Sequence, residues 1–166
     1  MINKNKKGFV ELSFGMIFSI ILIIVFLVFA VYAITKFLEI RDVTLNASFF
    51  NDLQTDVNKM WESDQGSAMK TYNLPRSAEY ICFVDYTTPS NTKDKIYEEL
   101  KFSYTKKENT FVYPLGKNIN SKEILNIDTV KITQTENPLC FEAKGKVSMI
   151  IKKNYGESLV RIERPI

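Results

Sequence analysis

From Leu12 to Thr35 the chain carries 24 consecutive residues without a formal charge, LSFGMIFSIILIIVFLVFAVYAIT, dominated by Ile, Leu, Val and Phe. Coiled as an α-helix, such a run reaches roughly 36 Å, against a hydrocarbon core of about 30 Å. The pattern predicts one transmembrane helix, assigned to residues 9–38. A secretory signal peptide has an apolar region of only about 7 to 15 residues, closed by a small-residue cleavage site. This run is longer, and no A-x-A-like site follows it.

Between Gly15 and Gly66 there is neither proline nor glycine, so nothing local ends the helix where the apolar run ends. A helix from about Phe9 to Ser63 is predicted, on the order of 80 Å long. Beyond the apolar run, Leu38, Leu45, Phe49, Leu53, Val57 and Met60 keep one stripe, while Arg41, Asn46, Asp52, Asp56, Asn58 and Lys59 occupy much of the rest. Residues 39–65 are therefore an amphipathic continuation that needs a packing partner. Trp61 and Ser63-Asp64-Gln65-Gly66 close it.

After Gly66 the pattern shifts to short β-rich runs separated by turn residues, which marks a domain over residues 66–166. Ala78 to Tyr86 (AEYICFVDY) reads as a central strand with Cys82 in its middle, and Ser90 to Phe102 as a short surface helix capped at Ser90 or Thr92. Phe111–Tyr113 and Thr129–Thr133 read as strands, Ser121–Leu125 as one helical turn. Val147, Met149 and Ile151 share a face of a strand that turns at Asn154-Tyr155-Gly156 and returns through Val160 and Ile162. The expected fold is α+β: a long N-terminal helix, transmembrane then amphipathic, packed on one small antiparallel sheet of about three to six strands.

Charge and composition narrow the chemistry. Of 22 basic residues, Lys4, Lys6 and Lys7 precede the apolar run, which leaves 19 against 19 acidic ones in the rest of the chain. A neutral body without a basic stripe argues against nucleic acid as a partner. The absence of histidine removes the commonest general base and metal ligand and every Ser-His or Cys-His nucleophile. Asp85, Glu98, Glu99 and Glu142 are conceivable acid/base groups, but nothing in the sequence brings two of them together. No catalytic, cofactor or metal site is expected, and the chain is read as a non-enzyme.

The lysines before the run, against a mixed flank of Lys36, Glu39, Arg41 and Asp42 after it, place the N-terminus in the cytoplasm and the domain outside. Cys82 and Cys140 are too few for a zinc site and form no CxxC. On an oxidising side of the membrane they read as a disulfide, with two separate buried thiols as the alternative.

A basic leader ending in Lys6-Lys7-Gly8, then Phe9, a nearby carboxylate, a hydrophobic helix running into an amphipathic half, and a C-terminal β domain together resemble a type IV pilin-like protein. The stretch KKGFVELSFGMIFSIILIIVF is similar to the N-termini of membrane-anchored archaeal proteins. The resemblance implies a prepilin-type peptidase that cuts between Gly8 and Phe9, and helices that bundle into a filament core. Family members usually carry a glutamate at the fifth mature position. Here that position is Ser13, and the carboxylate, Glu11, stands at the third.

Glu11 has two readings, a carboxylate reaching the headgroups or Lys7, and a subunit contact. Gly15 and Ser19 make a small-xxx-small patch that permits close helix approach. Asn46-Ala47-Ser48 is an N-glycosylation sequon, though a continuous helix can close it. The aromatic residues of the domain read as core and cross-strand packing ahead of a binding face. The expectation is a surface subunit that self-associates or joins related pilin-like subunits. The alternative is a permanently anchored single-pass surface protein that binds a ligand.

Overall fold

The computed structural model describes residues 14–92, 94–103, 107–116 and 120–165. The chain divides into two units, Met1–Glu39 and Ile40–Ile166. Helix α1, Phe14–Trp61, begins in the first and ends in the second. In the first unit every described residue is exposed, and the helix is long and apolar enough to cross a membrane, with none of its most apolar window buried.

In the second unit α1 becomes a core helix. Asn46, Phe49, Phe50, Leu53 and Val57 are buried and Met60 packs against them. The stripe is wider than the spacing of leucines and valines suggested, because Phe50 and Asn46 lie on its flank. Leu38 remains 44% exposed and does not belong to it. The helix ends without a glycine. Instead Lys153 Nζ donates to the carbonyls of Trp61 (2.5 Å) and Ser63 (2.7 Å), satisfying acceptors that a helix end leaves open.

Two sheets replace the single sheet expected. Strands β1 (Gly66–Asn73), β6 (Lys146–Lys153) and β7 (Arg161–Glu163) form one in the order β1-β6-β7. Strands β2 (Tyr80–Phe83), β3 (Thr110–Tyr113), β4 (Ser121–Lys122) and β5 (Leu139–Glu142) form the other in the order β4-β3-β2-β5. All named pairs are antiparallel. Val147, Met149 and Ile151 face inward from β6, and Val160 and Ile162 return as expected, all buried.

The two faces of the second sheet serve different cores. Ile81, Phe83, Val112, Leu139 and Phe141 join Phe49, Leu53 and Val57 in the main core. Cys82, Val84, Phe111 and Cys140 face the other way, and helix α2 (Asp94–Ser103) covers them with Tyr97 and Leu100. The α2 helix was expected to start from Ser90 or Thr92. The Ser90 hydroxyl donates to Thr92 O and the Thr92 hydroxyl to Pro138 O, and α2 begins at Asp94.

Two local assignments are corrected. Thr129–Thr133 is not a strand: Asp128 accepts from Lys131 N at 3.1 Å and opens a single helical turn, α3 (Thr129–Ile132), which outweighs the β-branched composition. Ser121–Leu125 is not a helical turn. Its start pairs with β3, and the amides of Ile124 and Leu125 donate to Asn109 Oδ1 and Gln54 Oε1, both at 2.8 Å. No i→i+4 ladder is left to form.

Candidate functional site

The disulfide is built by register. Cys82 lies opposite Cys140 in the β2/β5 ladder, with Cα atoms 4.1 Å apart and both residues buried. The bridge closes a separation of 58 residues, a constraint worth about 2 to 4 kcal/mol in the chain-entropy treatment.

The residues proposed for processing and subunit contact are partly out of view. Gly8, Phe9 and Glu11 lie outside the described residues. Gly15 and Ser19 sit on the exposed face of α1, where Ser19 Oγ donates to Gly15 O at 2.8 Å. The hydroxyl is thus turned onto its own helix, and the small-residue patch offers shape more than a free polar group.

The sequon asparagine faces inward. Asn46 lies on the inner stripe of α1, is 5% exposed, and its Nδ2 donates to Asn120 Oδ1 at 3.0 Å. A glycan on that nitrogen would displace the Asn120 contact.

The four carboxylates considered for acid/base chemistry are placed apart in role. Buried Asp85 accepts from Thr87 N (2.9 Å), Thr87 Oγ1 (2.7 Å) and Thr88 Oγ1 (3.1 Å), ordering the loop that leaves β2. Asn137, 1% exposed, locks the same loop: its side chain accepts from Asp85 N and donates to Asp85 O and to Thr88. Glu98 is exposed on α2, and Glu99 next to it holds the Tyr113 hydroxyl, raising its pKa with help from burial. Glu142 pairs in water with Lys144 at 3.3 Å.

Of the aromatics, Phe83, Phe111 and Phe141 are core, Tyr80, Tyr86 and Tyr113 are half-buried, Phe102 is 91% exposed, and Tyr104 lies outside the described residues. A hollow of about 460 Å³ opens beside Arg76, Glu79, Tyr80, Glu142 and Lys144. Its charges are of both signs and face water, and no cysteine, serine or threonine lines it. Among the described residues no three His, Cys, Asp or Glu side chains meet as a metal cluster.

Sequence reasoning missed Asn137 and Lys153. Asparagine before Pro138 reads only as a turn, and a lysine ending a strand gives no sign that it caps a helix 92 residues earlier. Comparison with family models, curated proteins and solved structures gives no match to this chain.

Proposed function

We propose that this chain is a type IV pilin-like structural or assembly subunit, held in the membrane by the first half of α1 and carrying its domain on the outer surface. It acts through protein contacts and performs no catalysis. The observation that carries this reading is the single helix with two environments: its first part is exposed and largely apolar, and its second part is built into an α+β core. A simple anchor has no need for a helix that continues into the fold as its largest core element. The basic leader ending at Gly8, the outward placement by the positive-inside rule, and the disulfide, which persists in an oxidising compartment, support the same reading.

In this reading a prepilin-type peptidase removes residues 1–8, and Glu11 and the Gly15–Ser19 face meet neighbouring helices inside the bilayer or a filament. Protease treatment of intact native cells tests the placement: residues beyond about 40 should be digested from outside while the apolar helix stays with the membrane. A domain protected in intact cells and cut only after lysis would overturn it. Shearing of the cell surface tests assembly, since a filament subunit is released in a sedimenting form, whereas a permanently anchored binding protein stays in the membrane.

A further inference from the structure

Strand β1 is an open edge. It lies outermost in its sheet and pairs with β6 along its whole length of 8 residues. Leu74 N donates to Gly145 O at 3.0 Å, which fixes a hydrogen-bonded pair just beyond the strand. Counting back by twos, Gly66, Ala68, Lys70 and Tyr72 direct their N–H and C=O groups to β6. Ser67, Met69, Thr71 and Asn73 direct theirs out of the sheet. The contact of 2.8 Å between Thr71 Oγ1 and Ser148 Oγ agrees with the narrower, non-hydrogen-bonded pairing this gives Thr71.

All four outward residues are exposed, and no hydrogen bond among the described residues takes up their outward backbone groups. Natural edges are blunted by proline, bulges, charge or a covering element. From Gly66 to Asn73 there is no proline, the register is unbroken, and the single charge, Lys70, is held by Asp56 at 3.0 Å.

We propose that β1 joins two copies of this chain, edge to edge and antiparallel, about a two-fold axis at Met69. The outward groups require an extended backbone, and β1 satisfies its own requirement. With Met69 opposite the partner's Met69, Ser67 faces the partner's Thr71 and Ala68 faces the partner's Lys70. Apolar meets apolar, hydroxyl meets hydroxyl, and no like charges are opposed. A register centred one residue on would set two Lys70 ammonium groups face to face. The pairing forms about six inter-chain main-chain hydrogen bonds and uses the same patch on both copies, as a two-fold contact must.

The geometry also sets direction. Met60 lies against Gly66, Asp56 meets the Tyr72 hydroxyl at 3.0 Å, and Asp42 approaches Ser77, so α1 runs antiparallel to β1. A two-fold axis normal to the sheet turns the Ile40–Trp61 segments of the two copies in opposite directions. The contact uses only the Ile40–Ile166 unit of each copy. It extends the proposed function by naming a surface and a partner, and it does not depend on cleavage after Gly8.

The test uses the full chain in detergent micelles across a range of chain concentrations. Sedimentation should show paired copies, and Met69→Cys chains should form disulfide-linked pairs. Lys146→Cys, away from the edge, should not. Thr71→Pro removes an outward N–H and the exposed hydroxyl contact to Ser148 but no ladder bond, and it should separate the copies while the domain still unfolds cooperatively. Met69→Glu, which opposes two carboxylates without altering the backbone, should separate them too. Copies that never pair, pairs that survive both variants, or Met69→Cys chains that do not link would each overturn the contact. The mature N-terminus is read separately, so a chain starting at Phe9 with unpaired copies retires this contact and leaves the pilin-like reading standing.

Discussion

Leu53 and Leu27 are the same residue on the same helix in opposite environments. Leu53 is fully buried in the main core, at 0% exposure, whereas Leu27 is 61% exposed. Replacing Leu53 by alanine keeps helix propensity, so the loss is burial plus the cavity left behind, about 3 kcal/mol within the usual range of roughly 2 to 5. For a domain of this size that lowers Tm by roughly 10 °C. Leu27→Ala removes the same atoms from outside the fold and should leave domain stability within about 0.5 kcal/mol. Urea or thermal unfolding of the full chain in detergent reads both. Trp61, the sole tryptophan, is a convenient probe because its indole N–H donates to Ser158 O at 3.0 Å across the domain. Equal losses for the two variants, or a loss under about 1 kcal/mol for Leu53→Ala, would refute the division of α1 into an outer and a core half.

The double substitution of Cys82 and Cys140 by alanine should cost about 2 to 4 kcal/mol in the same unfolding experiment, and non-reducing mass spectrometry of the native chain should find no free thiol; two free thiols would contradict the bridge. The Glu157 carboxylate is held below its ordinary 4.5 by the Asn154 amide and by Lys131 and Arg161, against an opposing effect of burial. Its contribution is therefore present above pH 4.5 and lost as pH falls through the lowered value, so Glu157→Gln should flatten the acid limb of Tm against pH. Burial and then Asp56 push the Tyr72 hydroxyl well above its ordinary 10.0, which means stability is complete below that pH and declines above it; Tyr72→Phe should remove part of the alkaline loss, and an unchanged limb would dismiss the assignment. Intact mass should show no glycan on Asn46, and Asn46→Ala should lower stability by about 0.5 to 1.5 kcal/mol through loss of its hydrogen bond to Asn120.

The elements that the sequence revealed are those whose burial follows a simple period. Phe49, Leu53 and Val57 repeat every four residues, and Val147, Met149 and Ile151 every two, so α1 and β6 were legible. Strand β1 was not, because Gly66, Ala68 and Lys70 face inward where apolar residues are normally found, and Lys70 is accommodated only by Asp56 on a distant part of the chain. The turn at Thr129 was hidden by its β-branched residues, although Asp128 was a usable cap signal. The extra sheet arises because β2 and β5 pair through Cys82 and Cys140 while β1 and β6 pair apart from them, a matter of long-range register that local pattern does not encode. Among the candidate site residues, the cysteine pair was readable from type and compartment, while the burial of Asn46 depended on which helix face the core would take.

The most direct measurement is the mature N-terminus of the protein from its native host, by intact mass and sequencing of the N-terminal peptide. A pilin-like subunit should begin at Phe9, with residues 1–8 removed after Gly8. A chain that keeps Met1 or begins at Ile2 would contradict pilin-type processing and leave a permanently anchored surface protein, whose outer domain would then have to be explained by what it binds.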